Sequence, residues 1–221
     1  MGTIAAGLQA VMQQIGEVAV RPVSLVAVSK TFPAEAIREA YRAGQRAFGE
    51  NYVSEALGKM EALADLDIEW HFIGPIQSNK TRQIAEHFDW VHGIDREKIA
   101  ARLSDARPAH LPALQVCIQV NVSGEASKSG VEPQRAAGLA KYIVSLPGLR
   151  LRGLMAIPEP SEDVALQRRR FAELRRLKDA LVGQGYALDT LSMGMSGDYP
   201  SAILEGSTLV RVGSAIFGKR T

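Results

Sequence analysis

Val23-Ser24-Leu25-Val26-Ala27-Val28-Ser29-Lys30 is an apolar run that ends on an amine. It reads as a buried strand with Lys30 at its C-terminal end. Seven further runs of this kind follow, Val23 to Lys30 being succeeded by Ala47 to Asn51, Trp70 to Gly74, Trp90 to Ile94, Leu114 to Asn121, Leu151 to Ile157, Leu191 to Met195 and Leu209 to Gly213. Helical patterns lie around and between them, at about 3 to 17, 34 to 43, 53 to 64, 79 to 87, 96 to 106, 133 to 145, 161 to 183 and 199 to 205. This alternation belongs to a parallel sheet with outer helices, and eight units predict a single (β/α)8 TIM barrel of the α/β class over residues 1–221. A doubly wound open sheet is the competing reading. It would carry a glycine fingerprint after the first strand, where this chain has Lys30-Thr31-Phe32-Pro33.

The composition is compatible with one large core: 221 residues, 46% hydrophobic and 23% charged. A formal net charge of +2 gives no strong attraction to nucleic acid or to a membrane surface, so neither is expected as a partner. The pI near 8.7 leaves a mild preference for anionic ligands. Cys117, the only cysteine, lies in Leu114-Gln115-Val116-Cys117-Ile118 and reads as a core residue. With no internal disulfide possible, a reducing compartment follows. The N-terminus lacks a basic segment followed by an apolar signal core, and no apolar stretch reaches the ~20 residues that span a bilayer. A cytoplasmic protein is expected, monomeric, with a weak dimer as the alternative.

The helix predicted over 161 to 183 carries Arg168, Arg169, Arg170, Arg175, Arg176 and Lys178, read as a solvated face opposite a stripe of Phe171, Leu174, Leu177 and Leu181. The longest loop, around Ser123 to Pro133, is rich in serine and glycine.

In a parallel barrel the C-terminal ends of the strands share one face, which brings Lys30, Asn51, Gly74, Met155 and Ser192 toward one mouth. A lysine that loses hydration there keeps more free amine for imine formation with an aldehyde; the competing reading is a side chain that reaches out to solvent. Two turns suit an anion: Ser192-Met193-Gly194-Met195-Ser196-Gly197-Asp198-Tyr199-Pro200, running from strand to helix, and Arg211-Val212-Gly213-Ser214. Each can equally be ordinary turn and capping chemistry. Arg211 alternates with Val210 and Val212, so an interior guanidinium needs a partner, either a pyridine nitrogen or a carboxylate such as Glu50. Asn51 is a plausible ring contact, whereas Ser78 reads as a helix cap. His71 and His92 lie in consecutive strands with His87 and His110 elsewhere, and no spacing supports a metal site. An amine with a phosphate cradle points to pyridoxal phosphate (PLP).

The motifs resemble the pyridoxal phosphate homeostasis (YggS/PROSC-type) proteins. The matching segments are Val28-Ser29-Lys30-Thr31, Phe48-Gly49-Glu50-Asn51-Tyr52, the run His71 to Lys80, Gly153-Leu154-Met155, Ser192 to Ser196 and Arg211 to Gly218, in order over nearly the whole chain. The resemblance implies the barrel of the alanine racemase N-terminal domain (PLP fold type III). It also implies that Lys30 carries PLP as a Schiff base, with the phosphate near Ser196, Gly197, Gly213 and Ser214, and with Asn51, Met155 and Arg211 as ring contacts. Members of the family are regarded as PLP carriers or regulators in vitamin B6 and amino-acid balance without established turnover, with PLP-dependent apoenzymes as possible recipients.

Racemases of this fold add a second β domain that supplies a tyrosine opposite the lysine. This chain ends at Thr221, so that domain is expected to be absent, and a non-catalytic PLP-binding protein follows. The alternative is a PLP-dependent amino-acid racemase-like enzyme, which would recruit a residue such as Tyr199; packing or a hydrogen bond is the expected role of that tyrosine. A third reading is a cofactor-free Schiff-base aldolase.

Overall fold

The computed structural model describes residues 3–124 and 129–218. Eight strands pair in parallel and in chain order: Ser24–Val28 (β1), Ala47–Glu50 (β2), Glu69–Phe72 (β3), Trp90–Ile94 (β4), Leu114–Gln119 (β5), Leu149–Met155 (β6), Thr190–Ser192 (β7) and Leu209–Val212 (β8). β8 returns to β1 with Val26 opposite Arg211 and Ala27 opposite Val212, which closes the barrel and rules out the open sheet. The helices are Thr3–Val18 (α1), Ala34–Arg42 (α2), Val53–Ala62 (α3), Thr81–His87 (α4), Glu97–Ala106 (α5), Ala136–Val144 (α6), Val164–Gly183 (α7), Tyr199–Leu204 (α8) and Ser214–Phe217 (α9).

The strands are largely apolar because both of their faces are covered. One face, including Ala27, Phe48, Val91, Val116, Leu154 and Val210, joins helix residues such as Ile37, Ile84, Ile99 and Phe171 in the main core. Each fully buried side chain of this size contributes roughly 1.5–3 kcal/mol relative to exposure. On the alternate positions Trp90, Cys117 and Met155 form a separate inner cluster. Cys117 is therefore a core residue as expected, and burial pushes its thiol up to about 12.

Several local expectations change. β1 stops at Val28, so Lys30 leaves the ladder and sits in a turn. α7 begins at Val164 because Asp163 caps it, its carboxylate accepting from Ala165 N at 2.9 Å. The segment expected to be helical from 133 divides into a 3-10 turn, Pro133–Arg135, and α6. Ser214, expected in a turn, starts α9. Residues 125–128 of the long loop lie outside the described residues.

The arginines of α7 are more than a solvated face. Arg168 and Arg175 both reach the carboxylate of Glu205, which is largely buried after α8, and Arg170 reaches Glu159 at 2.7 Å in the loop after β6. A carboxylate shielded from water needs a cation, and α7 lies within reach of both. Ser78 does not cap α4 with its hydroxyl; its carbonyl accepts instead from Thr81 Oγ1 and Arg102 Nη1. Among the described residues no helix is long and apolar enough to cross a membrane, and no cluster of metal-ligating side chains occurs.

Candidate functional site

Lys30 is held in a tight turn whose two flanking residues are tied down separately. Ser29 N donates to Gly49 O at 3.0 Å, and Phe32 N donates back to Ser29 O at 3.1 Å. Between them Thr31 adopts φ +69, a left-handed conformation that is costly for a β-branched residue. Its amide donates to Glu55 Oε1 at 2.6 Å. The same carboxylate oxygen accepts from Lys59 Nζ, which also donates to Glu50 Oε1 at 2.7 Å and to Ser29 O at 2.8 Å. Ser29 Oγ donates to Glu50 Oε1 at 2.6 Å.

Lys59 is only 6% exposed, and its three N–H groups are all used. Burial pushes the Glu50 carboxyl above its ordinary range, opposed by Lys59 and Ser29, which favour the ionised form. The cluster thus couples β2 and α3 to both neighbours of Lys30. Sequence reading missed it, although Glu55 and Lys59 stand four apart on one helix face.

The opposite side of the Lys30 turn meets the last strand. Phe32 stacks on Phe217 of α9 with ring centroids 5.1 Å apart. Gly213 presses against β1: a Cβ there would lie 3.0 Å from Val28 O. Gly213 N donates to Ser196 Oγ at 3.4 Å, which draws the turn after β7 toward the turn after β8. Gly197 and Ser214 are exposed beside them. Gly194 is required in the first turn, since φ is +98 and an added Cβ would stand 2.7 Å from Ala202 Cβ. The structure therefore brings Ser196, Gly197, Gly213 and Ser214 together next to Lys30.

Arg211 is buried, and its guanidinium donates from Nη1 to Ser192 Oγ at 2.5 Å and from Nη2 to Ala156 O at 3.0 Å. Glu50 is not its partner, because Lys59 has taken that carboxylate. Burial lowers the guanidinium to about 10, which leaves it charged at neutral pH. Met155 is paired in register with Ser192 and packs with Trp90 and Cys117. Asn51 follows β2, and its Oδ1 is buried with no hydrogen-bond partner among the described residues. Gly74 allows this contact region to close: a Cβ there would be 2.5 Å from Asn51 O.

Tyr199 points toward the helix layer, where its buried hydroxyl donates to Gln14 of α1. His71 and His92 are core residues, joined to one another at 2.9 Å. At the C-terminal mouth the arrangement offers an amine on an anchored turn, a small-residue cradle, an unsatisfied amide oxygen and a fixed guanidinium.

Residues 5–221 match the family described as alanine racemase, N-terminal domain. The chain is 59% identical over 226 residues to the pyridoxal phosphate homeostasis protein of Pseudomonas aeruginosa, covering 100% of this chain and 97% of that one. Identity to the protein of the same name from Escherichia coli strain K12 is 50% over 232 residues, covering 100% and 98%. Among solved structures, PipY of Synechococcus elongatus with PLP bound superposes with a TM-score of 0.88 at 40% identity, over 97% of this chain and 100% of that chain. Alanine racemase of Corynebacterium glutamicum, at 18% identity and a TM-score of 0.74, shares the fold over 98% of this chain and 60% of its own. The chain belongs to the alanine racemase N-terminal domain family and, within it, to the pyridoxal phosphate homeostasis proteins.

Proposed function

We propose that this chain binds pyridoxal 5'-phosphate at the C-terminal mouth of the barrel, covalently through Lys30, and acts in PLP and amino-acid homeostasis without strong catalytic turnover. The observation that carries this reading is the anchoring of the Lys30 turn. The Glu50, Glu55 and Lys59 cluster fixes one side, and the Phe32–Phe217 stack sets it beside Gly213 and Ser196 on the other.

The donor set fits the group. Ser196, Gly197, Gly213 and Ser214 provide hydroxyls and backbone N–H groups for the phosphate. Asn51, whose Oδ1 is orphaned, Met155 and Arg211 would be the contacts to the ring, Arg211 being the partner for its nitrogen. An arginine there retains its own proton, so it would leave that nitrogen unprotonated and restrain the group's capacity to take up electrons. When bound, PLP supplies an aldehyde that condenses reversibly with an amine, which suits storage and release toward PLP-dependent apoenzymes. Binding without turnover is supported by Tyr199, whose hydroxyl is committed to Gln14 in the helix layer and not offered at the mouth.

The test is the visible absorption of purified protein with added PLP, followed by borohydride reduction and peptide mapping. A long-wavelength band with the pyridoxyl label on Lys30, both lost in Lys30→Ala, is expected. Absence of band and label overturns the cofactor reading. Exchange of an amino acid's α-hydrogen with solvent, abolished by Lys30→Ala, would instead establish the racemase-like enzyme.

A further inference from the structure

The barrel interior contains a line of polar groups that the mouth engages at one end only. From the N-terminal opening, Glu69 Oε1 lies 2.8 Å from His71 Nε2, and His71 Nδ1 lies 2.9 Å from His92 Nε2. His92 Nδ1 is 2.7 Å from Ser192 Oγ, which accepts from Arg211 Nη1 at 2.5 Å. The imidazoles, Ser192 and Arg211 are buried, whereas the Glu69 side chain is half exposed. Glu69 and Trp90 line two cavities at that opening, of about 380 and 340 Å³; His71 lines the second, which is also walled by Ser24, Arg152 and Asp189.

The hydrogens in this line can be placed from its fixed end. A guanidinium only donates, so Ser192 Oγ accepts from Arg211. The hydroxyl hydrogen of Ser192 then has one acceptor within hydrogen-bond distance among the described residues, His92 Nδ1. His92 therefore carries its hydrogen on Nε2 and donates to His71 Nδ1. His71 in turn carries its hydrogen on Nε2 and donates to the Glu69 carboxylate. Every member is satisfied, and all donate in one direction, away from Arg211. Burial, with His71 and Arg211 nearby, holds His92 well below the ordinary imidazole range, in keeping with a neutral ring.

We propose that Glu69, His71, His92 and Ser192 are positioning residues for Arg211, and that their order of donation couples the N-terminal opening of the barrel to the guanidinium at the ligand-binding end. One proton taken up from solvent reverses that order without changing any bond between heavy atoms. His71 then carries hydrogens on both nitrogens, facing Glu69 through Nε2 and donating through Nδ1 to His92 Nε2. His92 carries its hydrogen on Nδ1 and donates to Ser192 Oγ. The Ser192 hydroxyl hydrogen is released to a new acceptor beside Arg211. The ring nitrogen of PLP, with its one lone pair, would be such an acceptor in competition with Arg211, and in this respect the inference rests on the binding mode proposed above. The charged and titratable groups around the line are Glu69 on β3, Asp89 before β4, Cys117 on β5, Arg152 on β6, Asp189 before β7 and Arg211 on β8, with Asp198 near Arg211.

Nitrogen NMR of the full chain labelled in histidine, recorded from pH 5 to 9 with and without PLP, tests this line. Without PLP at pH 8, both His71 and His92 are expected as Nε2–H tautomers. Ser192→Ala, which removes the donor to His92 Nδ1, should move the resonances of His71 as well as His92. Glu69→Gln, which removes the carboxylate at the end of the line, should move the resonances of His92 as well as those of His71. In the PLP-loaded chain Glu69→Gln should shift the pH midpoint of the visible band, a change that mere packing at the far opening would not cause. An Nδ1–H tautomer at His92, or a response to Glu69→Gln confined to His71, overturns the line itself. A wild-type chain that shows the expected tautomers but forms no band with PLP overturns the coupling to the cofactor, together with the binding mode, and leaves the hydrogen-bond order standing.

Discussion

Lys59 and Thr31 meet on a single oxygen, Glu55 Oε1, so a buried ammonium and a left-handed backbone amide share one acceptor beside Lys30. The ammonium also neutralises Glu50, which is fully buried. Lys59→Met removes the cation and leaves Glu50 buried and unpaired. A loss of about 3–5 kcal/mol in urea unfolding is expected, the usual consequence of breaking one side of a buried pair. A loss below about 1 kcal/mol would mean that the cluster is hydrated and does not anchor the turn.

Thr31→Gly separates strain from anchoring. Glycine adopts φ +69 without penalty, but it also loses more freedom on folding, so the two effects offset and stability should stay within about 1 kcal/mol of wild type. The amide to Glu55 is retained, yet the turn can now leave its native conformation. Weaker capture of PLP in a spectroscopic titration is expected. Wild-type affinity would show that the Lys30 turn needs no rigid neighbour.

Gly194→Ala tests the first small-residue turn. The added methyl carbon would lie 2.7 Å from Ala202 Cβ in a backbone with φ +98, so steric overlap and conformational strain act together. Destabilisation of more than about 2 kcal/mol in thermal or urea unfolding is expected. Gly197→Ala is the control: no atom lies within 4 Å of its added carbon, and its φ requires no left-handed backbone.

Arg170 and Glu159 set an acid limit for the loop after β6. Arg170, with Ser123, holds the Glu159 carboxyl down at about 2, against roughly 4.3 in an unfolded chain. The folded state therefore binds fewer protons between these values, so its advantage is complete above the unfolded value and is lost as pH falls toward 2. Arg170→Met should cost up to about 1 kcal/mol at pH 7, as expected for a solvent-touched pair, and nothing near pH 2. Unfolding curves of both proteins over pH 2 to 7 give the comparison.

The eight strands were legible because each is a short apolar run covered on both faces, and Lys30 stood out because it follows the first of them. Ser196, Gly197, Gly213 and Ser214 were legible as small residues in turns that a barrel puts side by side. Lys59 was not, since a lysine on a helix reads as solvated until Glu50 is seen beneath it. For the same reason Glu50 stood beside a pyridine nitrogen as one of two candidate partners for Arg211, although Lys59 already holds that carboxylate. The histidine line was also hidden: its members come from β3, β4, β7 and β8, and only closure of the ring places their nitrogens in sequence.

The seam between β1 and β8 has a consequence for biosynthesis. Lys30 is synthesised early and Gly213 late, yet the amine's turn is packed against the segment that contains Gly213 and Phe217. A chain still on the ribosome presents Lys30 without Gly213 and Phe217, so in the binding mode proposed above capture of the aldehyde would wait until β8 has joined β1. On that reading ligand competence would report completed folding, and a chain truncated before β8 would carry Lys30 without the segment that packs against its turn.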